Sequence, residues 1–151
     1  MKKLIQTLFI LSAILFIKPV MAQSAKPDFK GAEATQAHYK ALYFLDDIDP
    51  KKIKGTLRNI DNALEDVRLK GKLEVELVAF GDGVAVYEKA NSYEQTLLAL
   101  QKKGVILAQC NNTIRERHID TATLFPFISY VPSGNGEIII RQAQGWAVVH
   151  P

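Results

Sequence analysis

Short apolar runs alternate with helix-like segments from His38 to the end of the chain, and this alternation most strongly limits the possible folds. Short apolar runs predict buried strands, and apolar residues that recur at helical spacing predict helices. Strands that alternate with helices predict a parallel sheet with helices on both faces. The sequence therefore predicts an α/β fold, a three-layer α/β/α sandwich around a mostly parallel five-stranded sheet. The strands are expected at residues 40–45, 73–80, 105–110, 127–131 and 146–149.

The helix after the first strand has the clearest sequence signals. Asp49 can cap it, a proline suits its first position, and apolar residues recur at spacings of 4, 3, 4 and 3. Gly71 is expected to end this helix. Residues 92–95 (Ser-Tyr-Glu-Gln) predict a capping box for a second helix that Gly104 ends, and a further helix is expected over residues 133–144. The recurring apolar residues of the first helix are Ile53, Leu57, Ile60, Leu64 and Val67.

The N-terminal residues 1–22 have the pattern of a secretory signal peptide. Two lysines precede an apolar run over residues 4–17, and Val20-Met21-Ala22 supplies small residues for cleavage. A membrane anchor is the alternative, but the run is shorter than the roughly 20 residues that cross a bilayer. We therefore expect an exported, periplasmic protein with no membrane association after cleavage. Residues 23–37 are expected to form a flexible leader, and residues 38–151 a single α/β domain.

Removal of the signal peptide changes the charge of the chain. The precursor has 19 Lys and Arg against 16 Asp and Glu. The signal contains Lys2, Lys3 and Lys18, so the mature chain has 19 − 3 = 16 basic residues against 16 acidic residues. A formally neutral chain without a basic stripe gives no support for a nucleic-acid partner.

Cys110 is the only cysteine and the best candidate for a reactive atom. It ends the third expected strand, where backbone N–H groups of the turn 111–113 could stabilise a thiolate, and Arg115 and Arg117 could add positive potential. His118 could act as a proton partner for Cys110, but the favoured interpretation is a solvated loop histidine. In the alternative interpretation, Cys110 is a small apolar residue that closes a buried strand.

Two other loops follow strands of the expected sheet. Asp46-Asp47 could form an acidic Mg²⁺ pocket as in receiver domains, but Cys110 stands where such a domain needs its phosphorylated aspartate. A solvated turn is therefore the simpler interpretation. Gly81 and Gly83 form only half of a dinucleotide fingerprint and are explained by a tight turn. His38, His118 and His150 lack metal-ligand spacing, so neither a metal nor an organic cofactor is predicted.

Two motifs in this chain resemble those of the DsrE/DsrF-like proteins. The first, Cys110-Asn111-Asn112-Thr113-Ile114, is similar to the family's C-x-N-T motif. The second begins at Val131-Pro132-Ser133-Gly134 and continues with Glu137-Ile138, Arg141-Gln142 and Gly145-Trp146-Ala147. The resemblance implies a three-layer α/β/α fold, assembly into homotrimers or hexamers, and a role in sulfur trafficking.

By this resemblance Cys110 would carry a persulfide, and Asn112 and Thr113 would shape its loop. Gly81 and Gly83, after the second strand, are added as candidate binding residues. The expected function is that of a periplasmic sulfur carrier or relay protein that exchanges sulfur with a donor or acceptor protein. Export departs from the better understood relay proteins, which work in the cytoplasm. The alternative is a non-enzymatic, oligomeric module that binds a small ligand or a protein, with Cys110 as a structural residue.

Overall fold

A computed structural model describes residues 28–151. The expected signal peptide, residues 1–22, and the first part of the expected leader, residues 23–27, lie outside the described residues. The chain divides into a unit that ends at Ala32 and a compact unit over Glu33–Pro151, which contains the sheet and all the elements below. Residues 28–37 contain turns and bends but neither helix nor strand. Within residues 28–151, no helix combines the length and apolarity that a membrane span requires.

The compact unit is built on a five-stranded sheet with strand order β4-β3-β2-β1-β5, in which every pair of neighbours is parallel. This confirms the predicted α/β fold with a parallel sheet. Both edge strands are shorter than predicted, with three residues each. The strands are β1 (Tyr39–Leu45), β2 (Leu73–Ala79), β3 (Ile106–Cys110), β4 (Ser129–Val131) and β5 (Ala147–Val149).

The helices lie on opposite faces of the sheet because the chain reverses direction once. From β1 to β4 each strand is added on the same side of the previous one, and the chain then returns to β5 at the other edge. Right-handed crossovers therefore place the first three connections on one face and the last helix on the other. The helices are α1 (Pro50–Glu65), α2 (Glu94–Lys102), α3 (Asn111–Glu116) and α4 (Gly134–Ala143), with 3₁₀ helices at Gly81–Tyr87 and Thr121–Thr123.

Two separate hydrophobic clusters fill the two faces. The face that carries α1 and α2, called here the helix-pair face, buries the larger cluster, including Ile53, Leu57 and Ile60 of α1. The opposite face, called here the α4 face, has a small buried cluster against which Ile138 of α4 packs. The members of the small cluster are Leu42, Val78, Ala108 and Trp146.

The ends of two helices differ from the sequence prediction. Asp49 caps α1 as predicted, through a hydrogen bond from the Lys51 N–H. However, α1 ends at Glu65, because the Asp66 carboxylate accepts hydrogen bonds from the backbone and side chain of Arg68 and thereby favours a turn. The prediction that Val67 continues the apolar face was wrong, since Val67 is 92% exposed. The capping box of α2 is also absent, as its first turn has no side-chain cap.

Candidate functional site

Cys110 is the last residue of β3 and directly precedes α3. Side chains alternate along a strand, so the thiol lies on the same face as Ala108, which belongs to the α4 cluster. Its register partner on β4 is Val131, three residues before α4 begins. The thiol therefore lies between the first turns of α3 and α4. Only 4% of the residue is exposed.

Hydrogen bonds from four donor groups lower the pKa of the Cys110 thiol. The backbone N–H groups of Asn112 and Thr113 come from the first turn of α3, and the N–H of Gly134 comes from the first residue of α4. The fourth donor is the Thr113 hydroxyl. N–H groups in the first turn of a helix have no partner within that helix, so they are free to bind an anion or a thiolate.

A second hydrogen bond, from Gly81, orients the Thr113 hydroxyl. The Gly81 N–H donates to Thr113 Oγ1 at 2.9 Å, so the oxygen already serves as an acceptor there. The hydroxyl proton is then available for the Cys110 sulfur. Thr113 is itself buried, at 5% exposure, which holds this arrangement away from competing water. Gly81 thus acts on the thiol indirectly, one hydrogen bond away.

The pKa of the Cys110 thiol reflects two opposing effects. Burial raises the pKa, because a thiolate is less stable away from water. The hydrogen bonds from Thr113, Gly134 and Asn112 lower it, since each donor favours the charged form. Together the donors outweigh burial, and the pKa of Cys110 lies below its ordinary value. The thiolate is therefore a more accessible state here than in a free cysteine.

Gly134 is required where α4 approaches the end of β2. A Cβ atom at this position would lie 2.8 Å from Phe80 Cδ1, because the Phe80 side chain packs directly against Gly134. The Ser133 hydroxyl caps α4 by accepting the Gly136 N–H at 3.2 Å. The pair Ser133-Gly134 therefore starts the helix and brings its first N–H to the thiol. Sequence reasoning did not assign this donor, although the motif that begins at Val131 contains it.

Gly83, the other glycine of the 81–83 segment, packs closely against β1. A Cβ atom there would lie 2.0 Å from the Leu45 carbonyl oxygen, a distance that no side chain tolerates. Gly83 is buried within the 3₁₀ helix that follows β2. Gly81 has a φ of +55° and permits the chain to turn at the end of the strand. The structure thus brings Gly81 next to Thr113 and places Gly83 against β1.

The charged residues expected to act on Cys110 have other partners. Arg115 lies 2.9 Å from Asn112 Oδ1, and Arg117 forms an ion pair with Asp82 at 2.5 Å. The main causes of the lowered pKa of Cys110 are hydrogen bonds, and neither arginine is among them. His118 is exposed beyond the far end of α3, whose six residues span about 9 Å. The structure does not bring His118 to the thiol.

An aromatic row follows the carboxyl edge of the sheet on the α4 face. The Phe80 and Phe44 rings are 5.8 Å apart, and Phe44 stacks on His150 at 4.2 Å. His150 Nε2 lies 3.3 Å from Asp46 Oδ1. His150 follows β5, three strand positions from β3, which corresponds to about 14 Å at the usual strand spacing. The His150–Asp46 pair therefore lies at the opposite end of the row from Cys110.

Among the described residues, clefts also lie outside the thiol site. One, of about 610 Å³, lies between α1 and α2 and is lined by residues that include Arg58, Asp61 and Tyr93. Another, of about 560 Å³, is lined by residues that include Asn111 and Tyr130. Cys110 lines neither cleft. In the part of the chain that the structure describes, no group of three or more His, Cys, Asp or Glu residues could hold a metal ion.

The fold and the site define an α/β protein with a buried cysteine at the end of a central parallel strand and backbone donors around its sulfur. The sequence matches the DsrE/DsrF-like family over residues 13–151, and the chain belongs to this family. At the level of the family, membership suggests a role in sulfur relay. No curated protein matches the sequence significantly.

Solved structures with a similar fold come from bacteria and an archaeon. The protein of unknown function MTH1491 from Methanobacterium thermoautotrophicum is 29% identical, with a TM-score of 0.69 over 75% of this chain and 99% of that one. BT1422 from Bacteroides thetaiotaomicron, also of unknown function, is 10% identical, with a TM-score of 0.59 over 80% and 100%. The ychN protein from E. coli is 15% identical, with a TM-score of 0.58 over 76% and 99%. The last two similarities concern the fold alone.

Proposed function

We propose that this protein is a periplasmic sulfur carrier or relay protein in which Cys110 accepts, holds and passes on a sulfane sulfur. The observation that carries the proposal is the set of donors from Asn112, Thr113 and Gly134 around the Cys110 sulfur. Family membership supports the same class of function. The chemistry requires a thiolate, and these donors favour one.

The proposed reaction is thiol–disulfide exchange extended by one sulfur atom. The Cys110 thiolate attacks the sulfane sulfur of a polysulfide or protein persulfide, a new S–S bond forms, and the donor leaves as a thiolate. An acceptor thiolate later attacks the outer sulfur and releases the Cys110 thiolate. No external oxidant is consumed, because one S–S bond breaks for each one that forms. The same donors stabilise Cys110 as a nucleophile and as a leaving group.

The burial of Cys110 favours a second candidate function. At 4% exposure, the residue could be a packed part of an oligomeric module that binds a small ligand or a protein. The clefts between α1 and α2 and beside Asn111 would then be the places to look for a ligand. In that case the hydrogen bonds to the sulfur would only stabilise the end of β3.

Location and assembly are further parts of the proposal. We expect cleavage near Ala22, a mature chain in the periplasm, and a homotrimer or homohexamer. Ile139 and Ile140 of α4 are 67% and 53% exposed in the single chain, which supports self-association through this helix. Sequencing of the mature N-terminus tests cleavage, and light scattering tests assembly. Recovery of a full-length chain from membranes, or of a monomer at micromolar concentration, would reject these parts.

Sulfur loading tests the function. The folded mature protein is treated with inorganic polysulfide, freed of excess reagent, and analysed by intact mass spectrometry. We expect the mass of one added sulfur atom, its loss on addition of an acceptor thiol, and no addition in Cys110→Ser. Thr113→Ser retains a hydroxyl at the site and is the matched control that should still load. A wild-type protein that takes up no sulfur would favour the binding module.

A further inference from the structure

The α4 helix, which donates the Gly134 N–H to Cys110, has little apolar attachment to the sheet. Among its residues only Gly134 is buried, and Ile138 is the one that packs against the small cluster of the α4 face. Gly134, Glu137, Ile138 and Arg141 are spaced so that they share one face of the helix. Polar contacts at Glu137 and Arg141 must therefore help to hold this face against the sheet.

Arg141 connects α4 to the centre of the sheet. Its Nε atom lies 2.8 Å from Glu76 Oε2 and 2.8 Å from Glu137 Oε1. The N–H is directed at Glu137, so Glu76 Oε2 is held by charge and has no aligned donor among the described residues. Glu76 is on the central strand β2 and is only 1% exposed. A buried carboxylate requires such a cation, because it cannot be solvated by water.

Trp146 fixes the other side of the same guanidinium. The Arg141 Cζ atom lies 4.4 Å from the centre of the Trp146 ring, and the backbone N–H of Trp146 donates to the Arg141 carbonyl at 3.0 Å. Trp146 is 4% exposed and belongs to the small cluster of the α4 face. Glu76, Arg141 and Trp146 thus form a buried contact, called here the α4 clamp, two helical turns from Gly134.

We propose that Glu76 and Arg141 are positioning residues that hold α4 on the sheet so that the Gly134 N–H reaches the Cys110 sulfur. This positioning role deepens the proposed function and rests on it, because the position of α4 matters for sulfur transfer only if Cys110 carries the sulfur. A rigid helix transmits a shift at Arg141 to its first residue, Gly134. No broad apolar contact would resist such a shift.

The charged groups around the α4 clamp decide which variants can test this role. Burial raises the pKa of Glu76, Arg141 lowers it, and Glu137 and Glu74 raise it. Removal of Arg141 alone would leave Glu76 without its cation and could prevent folding. The double variant Glu76→Gln/Arg141→Met removes both charges and avoids this problem. Arg141→Lys retains the charge but loses the planar stacking on Trp146.

The experiment measures the rate of Cys110 alkylation against pH in folded wild type and in the variants. The midpoint of this curve is the thiol pKa, and the plateau at high pH reports access to the sulfur. We expect both variants to raise the midpoint by about 0.5–1 unit, which means about 3–10-fold less thiolate below the midpoint. Lys103→Met is the control, since Lys103 joins Asp61 and Glu65 at 2.6 and 2.9 Å on the helix-pair face. Its midpoint should equal that of wild type.

The outcomes separate this inference from the proposed function. A low midpoint in wild type, unchanged in folded Glu76→Gln/Arg141→Met, would overturn the positioning role and leave the sulfur-carrier proposal standing. A wild-type midpoint at or above about 8.5 would instead remove the thiolate on which the proposed function depends. If the double variant does not fold, Arg141→Lys decides, and a midpoint equal to that of wild type overturns the inference.

Discussion

The two faces of the sheet are built in different ways. The helix-pair face buries an extended cluster that includes Leu57 of α1, Leu77 of β2 and Leu97 of α2. The α4 face buries one small cluster and, beside it, the ion pair between Glu76 and Arg141. Apolar burial on the first face supplies most of the free energy that holds the fold. The Cys110 thiol is on the second face.

The difference shows what a buried thiolate needs from its surroundings. Large aliphatic side chains around Cys110 would raise its pKa without offering a donor. On the α4 face the helix instead begins with Gly134, whose backbone N–H donates to the sulfur. The thinner packing leaves α4 dependent on polar contacts for its position. We expect substitutions on the two faces to separate stability from thiol chemistry.

Core truncation should have the largest effect, and the helix-pair face should be the more sensitive. Leu77→Ala is expected to lower the free energy of unfolding by about 3–5 kcal/mol, because it leaves a cavity in the larger cluster. Leu42→Ala, at an equally buried position of the α4 face, should cost about 2–3 kcal/mol. Urea unfolding of both variants measures the difference. Equal costs would contradict the contrast in packing.

Loss of the Arg141 charge should have the next largest effect on the free energy of unfolding. Arg141→Met is expected to lower the free energy of unfolding by about 3 kcal/mol near neutral pH, because Glu76 is left buried and charged. Addition of Glu76→Gln should restore much of this loss. Burial already raises the pKa of Glu76 despite Arg141, so the folded variant takes up a proton as pH falls. The penalty should therefore shrink as pH falls from neutral and reach its minimum below about pH 4, where the carboxyl is protonated in both the folded and the unfolded protein. A penalty that does not change with pH would exclude Glu76 as its source.

Gly134→Ala should disturb both stability and thiol chemistry. The added Cβ would lie 2.8 Å from Phe80, so α4 or the ring must move. We expect a cost of about 1–3 kcal/mol from overpacking and a higher midpoint for Cys110 alkylation, since the Gly134 N–H moves away. Phe80→Leu/Gly134→Ala provides space for the new methyl group and should recover part of both effects. A stable Gly134→Ala protein with an unchanged midpoint would contradict the role of this donor.

Thr113→Val should have the smallest effect on stability. It removes the hydroxyl that donates to Cys110 and accepts from Gly81, at a cost of about 1 kcal/mol. The alkylation midpoint should rise by about half a unit, because one of the donors to the thiolate is lost. Thr113→Ser preserves the hydroxyl and should retain the midpoint of wild type. If valine and serine behave alike, the hydroxyl has no influence on the thiol.

Sequence patterns predicted the fold well because strands and helices are local features. All five expected strands are present, and Gly104, with a φ of +90°, follows α2 as its end signal suggested. The errors arose where a side chain competes with the helix. At Asp66 the carboxylate binds Arg68 and ends α1, an effect that periodicity does not report.

The site was less predictable because its parts come from distant segments. The position of Cys110 at the end of β3 follows from the local pattern. The Gly134 N–H can reach Cys110 because β4 pairs with β3. This pairing follows from the order of the strands in the sheet, which local sequence patterns do not give. Arg115 and Arg117 contact Asn112 and Asp82, and neither arginine is among the main causes of the lowered pKa of Cys110.

The most direct test of the account compares the alkylation midpoint of Cys110 in the folded protein with that of the same chain unfolded in urea. The unfolded chain gives the pKa of this thiol without the donors of Asn112, Thr113 and Gly134. The account predicts a lower midpoint in the folded protein, because hydrogen bonds to the thiolate outweigh burial. A folded midpoint equal to or above the unfolded one would contradict it and leave Cys110 as a packed residue of the core.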